Sequence, residues 1–145
     1  MRVRVDTAAA IELVGDGYRF IEDVQTGRRD DYESGYADFL AESFELVLPP
    51  SYPEGGQTFR GRAGLKRWID SIREIWDEWR MEQERFVVAG DRVLVEIRIV
   101  ARGHMSGVSL DRETAHIWSI ADGRLTRCEV YFDRDEALQA VDGVR

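Results

Sequence analysis

From Met81 onward the chain changes its hydrophobic period from that of a helix to that of a strand, and this switch does most to limit its fold. Between Arg92 and Ala101, Val93, Val95, Ile97 and Ile99 point one way while Glu96 and Arg98 point the other. That two-residue period marks a strand with one face buried and one polar. Met81 to Ala89, Ser109 to Ile120 and Leu125 to Phe132 read as further strands. Gly90-Asp91 and Asp122-Gly123 supply tight-turn chemistry between neighbours, and Gly103 to Gly107 reads as a turn or an irregular stretch.

The first half has helical spacing. Ile11, Val14, Tyr18, Ile21 and Val24 recur every three or four residues between Ala8 and Gln25, with Gly15 and Gly17 as places where that helix can bend. A shorter helix is expected from Asp31 to Glu42, a strand from Phe44 to Leu48, and a loop from Ser51 to Gly61. The broadest apolar stripe runs from Arg62 to Trp79 and holds Leu65, Trp68, Ile69, Ile72, Ile75, Trp76 and Trp79. A short helix from Asp133 or Arg134 to Val141 closes the chain. Helices followed by consecutive strands with short turns predict an α+β fold: an antiparallel sheet with helices on one face. The 145 residues fit one domain, 1–145.

Composition narrows the functional classes. With 43% hydrophobic and 33% charged residues the chain is neither disordered nor membrane-embedded, and no apolar run reaches spanning length. The Arg-Val alternation at the N-terminus is not a secretory signal, so a cytoplasmic protein is expected. The net charge is -8, and Arg28-Arg29 is followed at once by Asp30-Asp31. Nucleic acid is therefore not an expected partner, nor is a membrane. Cys128 is the only cysteine, which excludes an intrachain disulfide. With two histidines, His104 and His116, no metal site is expected, and no cofactor is called for.

Three segments carry a resemblance. They are Thr58-Phe59-Arg60-Gly61-Arg62-Ala63-Gly64-Leu65-Lys66-Arg67-Trp68, the run Ala115-His116-Ile117-Trp118-Ser119-Ile120-Ala121-Asp122-Gly123-Arg124-Leu125, and Glu129-Val130-Tyr131-Phe132-Asp133-Arg134-Asp135-Glu136-Ala137-Leu138. In order and spacing, from about Phe44 to Leu138, the chain resembles the SnoaL-like branch of the nuclear transport factor 2-like superfamily. The resemblance implies a cone-shaped sheet curled around the helices with a pocket inside. Members include polyketide cyclases, ketosteroid isomerases, limonene epoxide hydrolases, scytalone dehydratases and proteins that only bind, so the fold alone does not name a reaction.

The alternation places Cys128, Val130 and Phe132 on the inner face of the last strand. On the strand before it the alternation allows either Thr114, His116 and Trp118 or Glu113, Ala115 and Ile117 inside, because Ile117 is also apolar. The resemblance, through its Asp-Gly turn and Tyr-Phe-Asp end, implies the first and puts His116 on the pocket side. The expected pocket wall is Thr114, Trp118, Ile97, Val130 and Phe132, with Tyr18 supplying a hydroxyl and Tyr32 and Tyr36 as competitors for that role. His116 is the ionisable group on this wall. The resemblance puts it where ketosteroid isomerases carry an acid that hydrogen-bonds a developing oxyanion, so His116 is the candidate catalytic residue; the alternative is a satisfied core histidine. The isomerase base has no counterpart near Pro49-Pro50, and Glu54 is the nearest carboxylate. The Asp-Arg-Asp set of the epoxide hydrolases falls on Ile97, Ile99 and Val130, which rules against that activity. His104 is expected to be exposed, and Cys128 to be a buried, inert thiol. Two readings follow: a protein binding a small hydrophobic, oxygen-bearing molecule, with isomerase or cyclase chemistry by proton transfer, or a non-catalytic module. A homodimer is expected through an outer face of Glu96, Arg98, Glu113, Ile117, Glu129 and Tyr131.

Overall fold

The computed structural model describes residues 7–27, 39–51, 56–104 and 107–142. These form α1 (Thr7–Gln25), β1 (Leu40–Val47), β2 (Thr58–Arg60), α2 (Gly61–Ile75), β3 (Trp76–Ala89), β4 (Arg92–Gly103), β5 (Ser109–Ala121), β6 (Arg124–Tyr131) and α3 (Arg134–Asp142). The strands make one curved, unclosed sheet in the order β2-β1-β6-β5-β4-β3. All neighbours are antiparallel except β1 and β6, which run parallel with Leu46 opposite Cys128. The α+β cone read from the sequence is the observed fold.

The helix α1 is continuous through both glycines. Gly17 is small for a reason: a Cβ there would lie 3.0 Å from Leu125 Cδ1, where the helix packs against β6. The start of α2 shows why two further glycines stand three residues apart. Gly61 has φ +71°, a left-handed conformation that glycine adopts without strain, and a Cβ on Gly64 would sit 2.8 Å from the Phe59 carbonyl carbon. The helix can therefore turn back onto β2 only if both side chains are absent.

Four expectations change. The long helix ends at Ile75, not Trp79; Trp76 is already extended, with φ −115° and ψ 130°. The apolar spacing of Trp76 and Trp79 suits a helix, but β4 reaches Gly103, and β3 pairs with its far end through Trp76↔Gly103 and Trp79↔Ala101. Tertiary pairing overrides local pattern here. Leu40 to Glu42 belong to β1 and not to a helix, because they lie alongside β6; the rest of that expected helix, to residue 38, is outside the described residues. Thr58–Arg60 is a short strand inside the expected loop, held by three register pairs with β1.

The fourth change concerns the outer face. The main core fills the space between the inner sheet face and α1 and α2. A second cluster lies on the other side, where Ala137 and Val141 of α3 cover Leu94, Ala115 and Ile117. Helices thus stand on both faces. Asp133 Oδ1 accepts the Asp135 and Glu136 backbone N–H groups at 2.8 and 3.3 Å, capping α3. Arg134 donates to the carbonyls of Thr114 (3.0 Å) and Ile97 (2.9 Å), and Arg92 donates to the Ala140 carbonyl at 3.2 Å, so both ends of α3 are tied to the sheet. Ile117 is 0% exposed beneath α3 and is not part of an open outer surface. The remaining outer strip is charged, with Arg98 gripping Asp111 through two bonds of 2.7 and 3.0 Å.

Candidate functional site

Strand register builds the inner wall in rows. Val95 lies opposite His116, and His116 opposite Val130. One row along, Val93 lies opposite Trp118, and Trp118 opposite Cys128. Thr114 faces Ile97 across the same strands. Thr114, His116 and Trp118 are all buried, as are Ile97, Val130 and Cys128. His116 and Trp118 face α1, as the resemblance implied, and Cys128 and Val130 face the main core, as the alternation implied.

The α1 helix reaches this wall through Tyr18. Its hydroxyl lies 2.7 Å from His116 Nδ1 and accepts the Trp118 Nε1–H at 2.8 Å. The Tyr18 ring also stacks against the His116 ring with centroids 5.8 Å apart and meets the Trp118 indole edge-on at 5.3 Å. Trp118 can only donate, so the Tyr18 oxygen is its acceptor, and the phenolic proton is free to point at His116 Nδ1. That chain of donors leaves the imidazole proton on Nε2. Burial pushes the Tyr18 phenol well above its ordinary pKa, keeping it an O–H donor. Burial also lowers the His116 pKa to about 4, so the imidazole is neutral at pH 7. Cys128, beside Trp118, is a buried thiol whose pKa is raised by burial and then by Glu129.

Three of the expected residues, Tyr18, His116 and Trp118, are thus joined by hydrogen bonds, with Thr114, Ile97 and Val130 in the adjoining rows. Phe132 packs against the rim of the same core. It lies half-buried beyond the end of β6, with the Arg112 guanidinium 4.2 Å from its ring centroid. It borders an outer groove of about 660 Å³ with Pro50, Tyr131 and Arg134. His104 is exposed and paired with Asp77. Tyr32, Tyr36 and Glu54 are outside the described residues.

A cleft of about 180 Å³ opens between α1 and the edge strand β3, walled by Tyr18 and Gln25 on one side and Trp79, Met81 and Gln83 on the other. Among the described residues, Gln25 Nε2 and Trp79 Nε1 are buried and have no hydrogen-bond partner. Neither residue stood out in the sequence. Gln25 looks like an ordinary helix terminus, and Trp79 reads as part of a helix. An unbroken two-residue alternation of Trp79, Met81 and Gln83 with Arg80 and Glu82 was the signal available for placing Trp79 on a strand.

A curved, unclosed sheet wrapped around two helices is the NTF2-like class of fold. The chain resembles an NTF2-like protein from Burkholderia thailandensis at 23% identity and TM-score 0.71, covering 97% of this chain and 98% of that one. It resembles an NTF2-like protein of unknown function from Burkholderia pseudomallei at 22% identity and TM-score 0.68, covering 92% and 97%. TerC, co-crystallized with polyporic acid, is similar at 25% identity and TM-score 0.60, covering 88% and 98%. No curated protein matches. The SnoaL-like domain matches residues 18–128, and the chain belongs to that family. Among the described residues no helix is long and apolar enough to cross a membrane.

Proposed function

We propose that this domain binds a small, mainly apolar, oxygen-bearing molecule inside the cone, with His116 as the contact that orients it. The observation that carries this reading is the Trp118–Tyr18–His116 hydrogen-bond chain, set among Val93, Val95, Val130 and Cys128. Buried polar groups cost stability unless they are paired, and a fully apolar wall would avoid that cost. A neutral imidazole with its proton on Nε2 is a directional donor for a ligand oxygen. The step it suits is polarisation of a carbonyl, as proton-transfer isomerisation or cyclisation requires. With a pKa of about 4 it is a weak base at neutral pH, so the donor role is the better match. The co-crystal of TerC with polyporic acid supports an oxygen-bearing organic ligand.

A second reading is a non-catalytic module acting through a homodimer or partner surface. It is favoured by His116 being only 5% exposed with Nδ1 already taken by Tyr18. The double variant Tyr18→Phe/His116→Leu separates the two, because it removes both polar partners while keeping apolar volume. Titration with naphthol and with naphthalene is the test. The ligand-binding reading expects the parent to prefer naphthol, and the variant to lose that preference by about five- to tenfold while staying folded. Equal affinities for the two probes in the parent would remove His116 from the site and leave the structural reading.

A further inference from the structure

We propose that the cleft between α1 and β3 is a ring-sized subsite for an uncharged hydrogen-bond acceptor, a ketone, quinone or lactone carbonyl, received by Gln25 and Trp79. The inference rests on the ligand-binding reading above and gives that ligand a second anchoring point. Three observations lead to it. The volume, about 180 Å³, is close to the roughly 150 Å³ that accommodates a single aromatic ring. The wall combines apolar surface from Tyr18, Trp79 and Met81 with amide groups from Gln25 and Gln83. The Gln25 carboxamide nitrogen and the Trp79 indole nitrogen, on opposite walls, are buried donors without partners.

An unpaired buried donor is costly, and native proteins keep few of them. Trp68 Nε1 is also buried without a partner among the described residues, but only Gln25 and Trp79 bring such donors to one cleft. Both residues are only half-buried and line the open volume, while the donor nitrogen of each is itself buried. Rotation of the carboxamide or indole toward the cleft gives each donor a partner once an acceptor is there. The Tyr18 ring belongs to the same wall, and its hydroxyl is the one bonded to His116. Occupancy of the cleft is thereby in direct contact with the inner chain.

The charges select a neutral acceptor. Glu22 and Glu82 border the cleft along with Arg80, and Arg80 already lies 3.5 Å from both Glu78 and Glu82. The rim is acidic on balance, which disfavours a carboxylate or phosphate. A carbonyl oxygen can accept two N–H bonds, one from each wall, without bringing charge.

The test uses the intact chain and two probes of nearly equal shape, acetophenone and ethylbenzene. In ¹⁵N-labelled protein the Trp79 indole N–H resonance should move downfield with acetophenone and much less with ethylbenzene. Gln25→Leu and Trp79→Phe should each weaken acetophenone by about five- to tenfold and leave ethylbenzene unchanged. The indole shift is read in the unmutated protein, so a poorly folding variant does not obscure the outcome. An acetophenone titration that leaves Trp79 still, or that moves the Trp118 indole instead, overturns the subsite. If the naphthol preference meanwhile depends on Tyr18 and His116, the broader ligand-binding reading stands and only the subsite fails. Absence of binding by all four probes overturns both.

Discussion

Replacing His116 by Gln should flatten the acid side of the stability curve. His116 has an ordinary pKa of 6.5 and a value of about 4 in the folded protein, lowered by burial. Above about pH 6.5 the imidazole is neutral in both states and pH has no effect through it. As pH falls below that value, the unfolded chain takes up a proton that the folded chain refuses. Stability then declines, by at most about 1.4 kcal/mol per pH unit, and the decline levels off below about pH 4. The stabilisation is complete above the unfolded pKa and gone below the folded one, a total of about 3 kcal/mol. Between about pH 7.5 and about pH 4.5 the parent should lose about 2–3 kcal/mol more than His116→Gln. Urea unfolding followed by circular dichroism, at several pH values for both chains, measures this difference. Carboxylates titrate in parent and variant alike and cancel in the comparison. Parallel stability curves would show that His116 accepts its proton inside the fold, and the argument from burial would fail.

Tyr18→Phe should cost about 2–4 kcal/mol, because it leaves the Trp118 N–H without an acceptor and His116 Nδ1 without a donor; the urea midpoint reads this, and no change would show that the hydroxyl holds nothing. Trp68→Ala should cost about 3–5 kcal/mol from a buried site, and Trp76→Ala distinctly less, since Trp76 is half-buried on β3; equal melting losses would contradict the helix end at Ile75. Gly64→Ala should lower the melting temperature sharply, because its Cβ would lie 2.8 Å from backbone that cannot yield; an unchanged melt would show that α2 can shift away from Phe59. A homodimer through the charged outer strip should appear in sedimentation as a twofold mass that Arg98→Glu disrupts, whereas a monomer at micromolar concentration removes that proposal.

The parts of the fold legible in the sequence are those where local pattern and tertiary role agree. β4 alternates because one face meets the helices, and Asp122-Gly123 is a turn in any context; Asp122 itself has φ 53°. The end of α2 was not legible. Trp76 and Trp79 satisfy helical spacing, and only the length of β4 makes them strand. β2 has three residues and exists through its pairing with β1. Ile117 looked ambiguous because it is apolar on the outer face, and α3 resolves it by covering that face. At the site, period two left the His116 face open against that of Ile117, and the family resemblance turned His116 inward. That a first-helix tyrosine such as Tyr18 caps the pocket came from the family resemblance, and its bond to His116 was not legible, since no local rule links residues on α1 and β5. The unpaired donors of Gln25 and Trp79 are a property of packing between two elements, which no single segment displays.

The parallel pairing of β1 with β6 has a consequence for how the chain is made. Synthesis delivers β1 early and its neighbour β6 last of the strands, with α2 and four strands in between. Phe44 and Leu46 belong to the main core, yet Leu46 lies opposite Cys128 of β6. A hairpin partner is available to β1 only through the three residues of β2. Contacts between distant segments close slowly, and unpaired edges are exposed meanwhile. On the ribosome, therefore, one side of β1 stays open until β6 emerges, and the nascent domain completes its core only then.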